Sequence, residues 1–106
     1  MGEHMKSVME SIQFINTHLD DDLSPERLAF EAGYSMFHFC RIFKEVTGES
    51  VMRFVRGKRL KAAYEEMQSG GDMDEVAARC GYETTSGFSR AYQKQFGYRP
   101  QRKVKQ

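Results

Sequence analysis

No stretch of this chain approaches the roughly 20 consecutive apolar residues that a membrane-spanning helix requires, so no membrane partner is expected. The first residues also lack the apolar core of a secretory signal, which points to an intracellular protein. Alternation of β-branched and polar residues is missing throughout, so no strand is predicted and the fold class is all-α. Cysteine is scarce. Cys40 and Cys80 fall inside predicted helices without the paired spacing of a zinc site, and read as buried or bystander thiols. His38 lies two positions from Cys40 and so on another helix face, and neither metal nor cofactor is expected. With no histidine or acid placed to activate Cys40, enzymatic function is not expected either. Large net charge is absent too: the formal total is +1.

What is present is a repeat. Ala29-Phe30-Glu31-Ala32-Gly33-Tyr34 is echoed 48 residues later by Ala77-Ala78-Arg79-Cys80-Gly81-Tyr82. A second matched run follows each Gly-Tyr, Phe39-Cys40-Arg41-Ile42-Phe43-Lys44 and Phe88-Ser89-Arg90-Ala91-Tyr92-Gln93, and the closing glycines Gly48 and Gly97 also correspond. In the second block the offset is 49, so the later copy carries one extra residue just after its Gly-Tyr. Each copy reads as helix, glycine turn and polar, Arg-bearing helix. In 106 residues that means one domain or two small lobes sharing a connector.

Helix signals run the length of the chain. Met1-Gly2-Glu3-His4 reads as an added leader before a candidate natural start at Met5. Val8, Ile12, Ile15 and Leu19 form an apolar stripe on a first helix that Asp20-Asp21-Asp22 should end. Ser24-Pro25 opens a second helix, which buries Leu28, Ala29 and Ala32 and stops at Gly33. Ser35 caps a third, from Met36 to about Val46, with Phe39, Ile42, Phe43 and Val46 inward. Ser50 caps a long fourth helix, Val51 to about Gln68. Asp72 and Glu75 have capping-box spacing for a short fifth, which turns Val76, Ala77 and Cys80 inward and ends at Gly81. The sixth starts near Thr84 or Thr85, runs to Phe96 and buries Phe88, Tyr92 or Ala91, and Phe96. Pro100 can open one last helical turn.

Charge distribution says more than total charge. Residues 1–31 hold Lys6 and Arg27 against seven acids, a net of −5, while residues 32–106 hold fourteen Lys/Arg against eight acids, a net of +6. Beyond Thr84 there are six basic residues and no acid. One phosphate-facing side and one solvated side would account for this. In a helix-turn-helix the second helix enters the major groove, and the small Ala29 and Ala77 allow the two helices to cross closely. Arg41 and Arg90 occupy equivalent outward places, and arginine is the commonest partner of guanine O6 and N7. A linker helix of some 18 residues is about 27 Å long. With the width of the units it joins, it would set the two reading helices roughly one duplex turn, about 34 Å, apart. One chain would then read two adjacent half-sites, with the DNA bent at an elastic cost of a few kcal/mol. Four residues inserted between Tyr64 and Met67 should, on this reading, disturb reach more than folding.

The pattern from about Val8 to Pro100 resembles the DNA-binding domain of the AraC/XylS family of bacterial transcription regulators. The residues that carry the resemblance are Arg59-Leu60-x-x-Ala63, then Val76-Ala77-x-x-x-Gly81-Tyr82 with Phe88-Ser89-Arg90-x-Tyr92, Gly97 and Pro100. It implies about seven helices in two helix-turn-helix subdomains, with a first lobe at 6–49, a linker helix at 50–69 and a second lobe at 70–104. By position it implies base contacts from Met36, Phe37, His38, Cys40 and Arg41 in the first reading helix. In the second they fall on Thr85, Ser86, Ser89 and Arg90. Phe37 and Cys40 suit apolar contact with a thymine methyl. Gly87 would either allow close approach to the sugar-phosphate chain or simply weaken its helix. Phosphate contacts are expected from Ser35 and Lys44 in the first unit and Thr84 and Lys94 in the second, followed by Arg99, Arg102 and Lys103. Where the family's last helix has an aromatic-arginine pair after the proline, this chain has Lys103-Val104.

The implied function is sequence-specific binding of double-stranded promoter DNA in the bacterial cytoplasm, at the nucleoid, with RNA polymerase as a further partner. The DNA-binding unit would act as a monomer, with any dimerisation or sensing left to a domain outside this sequence. The alternative is a helical protein-interaction module with little DNA affinity. Inward-facing Phe39, Phe43, Phe88, Tyr92 and Phe96 argue against a stacking platform for single strands.

Overall fold

The computed structural model describes residues 2–101, and α-helices are the regular elements among them. They are α1 (Gly2–Thr17), α2 (Pro25–Ala32), α3 (Met36–Thr47), α4 (Val51–Gln68), α5 (Met73–Arg79) and α6 (Thr85–Phe96). A seventh helix, expected after Pro100, falls on residues outside those described. The chain forms two compact units, one ending at Arg56 and the other starting at Gly57, so the boundary lies within α4.

In the first unit, Val8 and Ile15 bring the inner face of α1 to full burial, with Ser11 between them, and Ile12 packs at the margin. The helix ends at Thr17, before Leu19. The reason is local competition for the last carbonyls: Thr17 Oγ1 donates to Gln13 O and Phe14 O, and His18 Nδ1 lies 2.8 Å from Phe14 O. Leu19 nevertheless packs on the core, and Leu23, in the loop beyond the acidic run, is buried. Ser24 caps α2 by accepting the Arg27 N–H, with Pro25 in the first turn. Gly33 (φ 80) then reverses the chain, the Tyr34 and Gly33 amides reaching back to the carbonyls of Ala29 and Phe30. Phe39, Ile42 and Phe43 fill the core from α3, and Val51 and Val55 close it from the start of α4.

The second unit repeats this plan with different residues. Leu60, Ala63 and Met67 supply the α4 side, Met73, Val76 and Ala77 the α5 side, and Phe88 and Tyr92 the α6 side. Asp72 caps α5 by accepting the Glu75 N–H. Gly81 (φ 87) closes it with the Tyr82 and Gly81 amides on the carbonyls of Ala77 and Ala78, the same pair of bonds as in the first unit. Cys80 does not lie within α5 as expected but follows it, half-buried, its thiol donating to the Arg59 carbonyl. An ion pair between Arg79 and Glu66 ties α5 to α4. Beside Phe96, the rings of Tyr64, Tyr92 and Tyr98 gather at the other end of this core. Burial pushes the Tyr92 phenol up, and a hydrogen bond shared with Tyr64 is the main cause that lifts Tyr98 to about 12.

Within α4 the buried positions step from Val55 to Leu60, a gap of five, so no single apolar stripe runs its length. Each part of the helix answers to a different core. No helix among the described residues is long and apolar enough to cross a membrane.

Candidate nucleic-acid interface

Residue by residue, α3 and α6 are the same device. Each has twelve residues, begins after a hydroxyl cap (Ser35 or Thr84) and ends at a left-handed glycine (Gly48, φ 84, or Gly97, φ 87). The fourth residue, Phe39 or Phe88, and the eighth, Phe43 or Tyr92, are fully buried. That fixes the rotation of both helices and leaves the first, second, fifth and sixth positions on or near the surface. The sixth is Arg41 in α3 and Arg90 in α6, and both are exposed. The extra residue of the second copy sits in its turn: Tyr82, Glu83 and Thr84 stand where the first has only Tyr34 and Ser35.

In the first unit, Phe37 is 85% exposed, which no core role explains in a phenylalanine, and Met36 stands beside it at 37%. Arg41 reaches toward Glu45 at 3.9 Å, with both side chains largely in solvent. Such an i,i+4 pair is worth well under ~1 kcal/mol and does not commit the guanidinium. Cys40 is half-buried, and Lys44 is exposed one turn beyond Cys40. His38 stands apart from this group. It is half-buried, its ring edge-on to Tyr34 at 5.0 Å and to His4 at 5.6 Å, while the Tyr34 hydroxyl lies 3.2 Å from Ser7 Oγ. The imidazole therefore packs toward α1. Ser35 Oγ accepts the His38 N–H, so this hydroxyl already works as a cap.

In the second unit, Thr84 Oγ1 caps α6 by accepting the Gly87 N–H at 3.0 Å. A Cβ on Gly87 would stand 3.3 Å from that same oxygen, so the glycine leaves room for the cap. Thr85 Oγ1 donates to Asp74 Oδ1 at 2.6 Å. Thr85, Ser86, Ser89 and Arg90 line one open hollow of about 430 Å³, together with Met73 and Arg99. The structure thus brings four expected base-facing residues together with one expected phosphate contact. Arg99 Nε also donates to Gln93 Oε1 at 3.1 Å. Lys94 is exposed on the last turn of α6. Arg102 and Lys103 lie outside the described residues.

Three residues at this surface escaped the sequence reading: Asp74, Gln93 and Glu45. Glu45 was within reach, since its i,i+4 spacing from Arg41 is visible in the chain. Asp74 and Thr85 are eleven residues apart on different helices, and no local periodicity relates them. Among the described residues, no group of three His, Cys, Asp or Glu side chains is placed to hold a metal ion.

A family profile described as a helix-turn-helix domain matches residues 28–106. The right origin-binding protein of Escherichia coli (strain K12) is 32% identical over 94 residues, covering 88% of this chain and 32% of that protein. The chain therefore spans about a third of the length of that relative. The regulatory protein SoxS of the same strain is 30% identical over 98 residues, covering 92% of each chain. Among solved structures, the DNA-binding domain of the global transcriptional factor AdpA, in complex with a target DNA, superposes with a TM-score of 0.78 at 28% identity. That match covers 88% of this chain and 85% of the other. With its profile match, a relative aligned over nearly its whole length and a glycine turn repeated in each unit, the chain belongs to the AraC-type helix-turn-helix family.

Proposed function

We propose that this chain is a sequence-specific double-stranded DNA-binding regulator of transcription, and that one molecule reads two adjacent half-sites, one per helix-turn-helix unit. The observation that carries this is the equivalence of α3 and α6: the same length, a hydroxyl cap before and a left-handed glycine after, buried aromatic rings at the fourth and eighth places and an exposed arginine at the sixth. An ordinary surface arginine has no reason to recur in register across a repeat. SoxS is by name a regulatory protein, and the AdpA domain was solved on its target DNA. Both support the same role here.

Base contacts are assigned to Met36, Phe37, Cys40 and Arg41 in the first unit and to Thr85, Ser86, Ser89 and Arg90 in the second. His38 belongs with them only as a support for α3, given its packing on Tyr34 and His4. Ser35, Lys44, Thr84, Lys94 and Arg99 are the proposed phosphate contacts, with Arg102 and Lys103 continuing the basic run. In this reading residues 6–49 and 70–104 are the two reading lobes and 50–69 the linker. RNA polymerase is the proposed protein partner, the DNA-binding unit works as a monomer, and the protein resides in the cytoplasm at the nucleoid.

Selection of bound sites from random duplexes, followed by a salt titration on the winner, tests the proposal. The expected result is two short conserved blocks about 10 base pairs apart. Log affinity should fall linearly with log salt, with a slope of about −0.9 per phosphate neutralised. A single block would remove the bipartite claim. No enrichment and no salt-dependent duplex affinity would leave a helical protein-interaction module.

A further inference from the structure

We propose that Asp74 is a positioning residue for base specificity: by accepting the one hydrogen bond that the Thr85 hydroxyl can donate, it leaves the first residue of α6 a hydrogen-bond acceptor and so restricts which bases that residue can favour. The inference rests on the DNA-reading role proposed above and gives it a chemical direction at one position.

Thr85 Oγ1 and Asp74 Oδ1 are 2.6 Å apart, the length expected when a hydroxyl donates to a carboxylate. The hydroxyl is the donor and the carboxylate oxygen the acceptor, which sets the direction of this bond. A hydroxyl carries one proton and two lone pairs. Unpinned, it rotates to suit donor or acceptor edges alike, which is why threonine ordinarily discriminates poorly between bases. Pinned by Asp74, Thr85 keeps its lone pairs and its methyl group. In the major groove the amino groups of adenine N6 and cytosine N4 donate, whereas guanine offers only the acceptors N7 and O6. Thr85 therefore favours adenine or cytosine on the strand it faces and disfavours guanine.

The repeat supplies an internal comparison. Glu26 in α2 stands 48 residues before Asp74, so both copies carry an acid at the second place of their first helix. In the first copy the residue that opens the reading helix is Met36, which has no proton to pin. An acid common to both copies has thus found a hydroxyl partner only where α6 begins with threonine. Thr85 also lines the hollow it shares with Ser86, Ser89, Arg90 and Arg99, so the pinned hydroxyl lies on the surface assigned to DNA.

The test is random-duplex selection on the full chain and on its Asp74→Ala, Asp74→Asn, Thr85→Val and Asp74→Ala/Thr85→Val variants, each first checked for helicity and thermal midpoint. The wild type should select adenine or cytosine over guanine by about tenfold at one position of the second half-site. Asp74→Ala should abolish that bias at that position alone, and Thr85→Val should abolish it whether or not Asp74 is present. Asp74→Asn removes the charge but keeps a carbonyl acceptor, and should retain the bias. If Asp74→Ala and Asp74→Asn both strengthen binding to every duplex equally and leave base preference untouched, Asp74 acts only by repelling phosphate and the inference falls. Wild-type selection of guanine at that position would overturn it as well. A wild type that enriches no duplex at all sinks the DNA-reading proposal itself, whereas a bipartite site indifferent to residue 74 sinks this inference alone.

Discussion

At four positions on or near the surface of α3 stand a thioether, a phenyl ring, a thiol and a guanidinium: Met36, Phe37, Cys40 and Arg41. The same positions of α6 carry three hydroxyls and a guanidinium: Thr85, Ser86, Ser89 and Arg90. Between these contrasting faces the supporting residues scarcely change. Phe39 answers Phe88, Phe43 answers Tyr92, and the turns close with identical backbone bonds at Gly33 and Gly81. The repeat keeps what holds a helix in place and varies what the helix shows. Only arginine belongs to both sets, exposed in each, which is why the proposed function assigns it to base contact. The first face suits van der Waals contact, as with a thymine methyl, and the second suits hydrogen bonds to base edges.

The largest expected effect tests whether the two supports are equivalent. Phe39 and Phe88 are each fully buried at the fourth position of their helices. Truncation of such a residue to alanine costs about 3–5 kcal/mol, a large share of a typical small domain's stability. Amide hydrogen exchange should show Phe39→Ala removing protection from α1, α2 and α3 while α5 and α6 stay protected. Phe88→Ala should give the mirror pattern. If either variant deprotects both sets, the units fold as one and the comparison of separate cores breaks down.

A smaller effect separates the reading faces. Arg41→Ala and Arg90→Ala should each relax preference at one base pair by roughly 1–3 kcal/mol, at positions about one duplex turn apart. Binding curves on single-base-pair variants of the selected site give the answer directly. Uniform weakening across all sites, with a shallower salt slope, would reassign these arginines to phosphates. The Arg41–Glu45 pair is too exposed to mask the outcome.

The sequence carried nearly all of the architecture because its signals are local. Ser24, Ser35, Asp72 and Thr84 bond to the amide three residues ahead, a relation readable at fixed spacing. The stripe Phe39, Ile42 and Phe43 likewise needs only a helical period. What stayed hidden depends on two elements meeting. Leu23 is buried from a loop, where no period applies. The α1 helix ends at Thr17, ahead of the acidic run, where the Thr17 and His18 side chains both reach the Phe14 carbonyl. The α4 helix was legible as a helix but not as a shared wall. Met67 belongs to the second core with Leu60 and Ala63, so an insertion between Tyr64 and Met67 would strike folding, contrary to the expectation from sequence. The exposed places on α3 and α6 were legible through the repeat, since Arg41 and Arg90 both stand at the sixth position and both are exposed. Their chemistry was not, since the Thr85–Asp74 bond and the packing of His38 on Tyr34 join different elements.

The smallest expected effects concern three glycines and distinguish space from backbone conformation. A Cβ built on Gly33 meets nothing within 4 Å, and one on Gly81 meets only the Arg59 guanidinium at 4.0 Å. Room is therefore not why these positions need glycine. Their φ values of 80 and 87 are, and an alanine there should cost about 1–2 kcal/mol in either unit. Equal penalties would confirm that the two turns are energetically alike. A difference much above 0.5 kcal/mol, roughly the limit of additivity error, would show that one unit bears more strain. Gly57 supplies the opposite case. It lies in the interior of α4 with open space around its Cβ position and no positive φ. Gly57→Ala should stabilise by about 0.5–1 kcal/mol, by restricting the unfolded chain and improving helix propensity. Thermal unfolding should register this as a rise of a few degrees. A fall instead would mean that α4 bends at Gly57, and that the glycine at the boundary between the two cores is kept for its conformation after all.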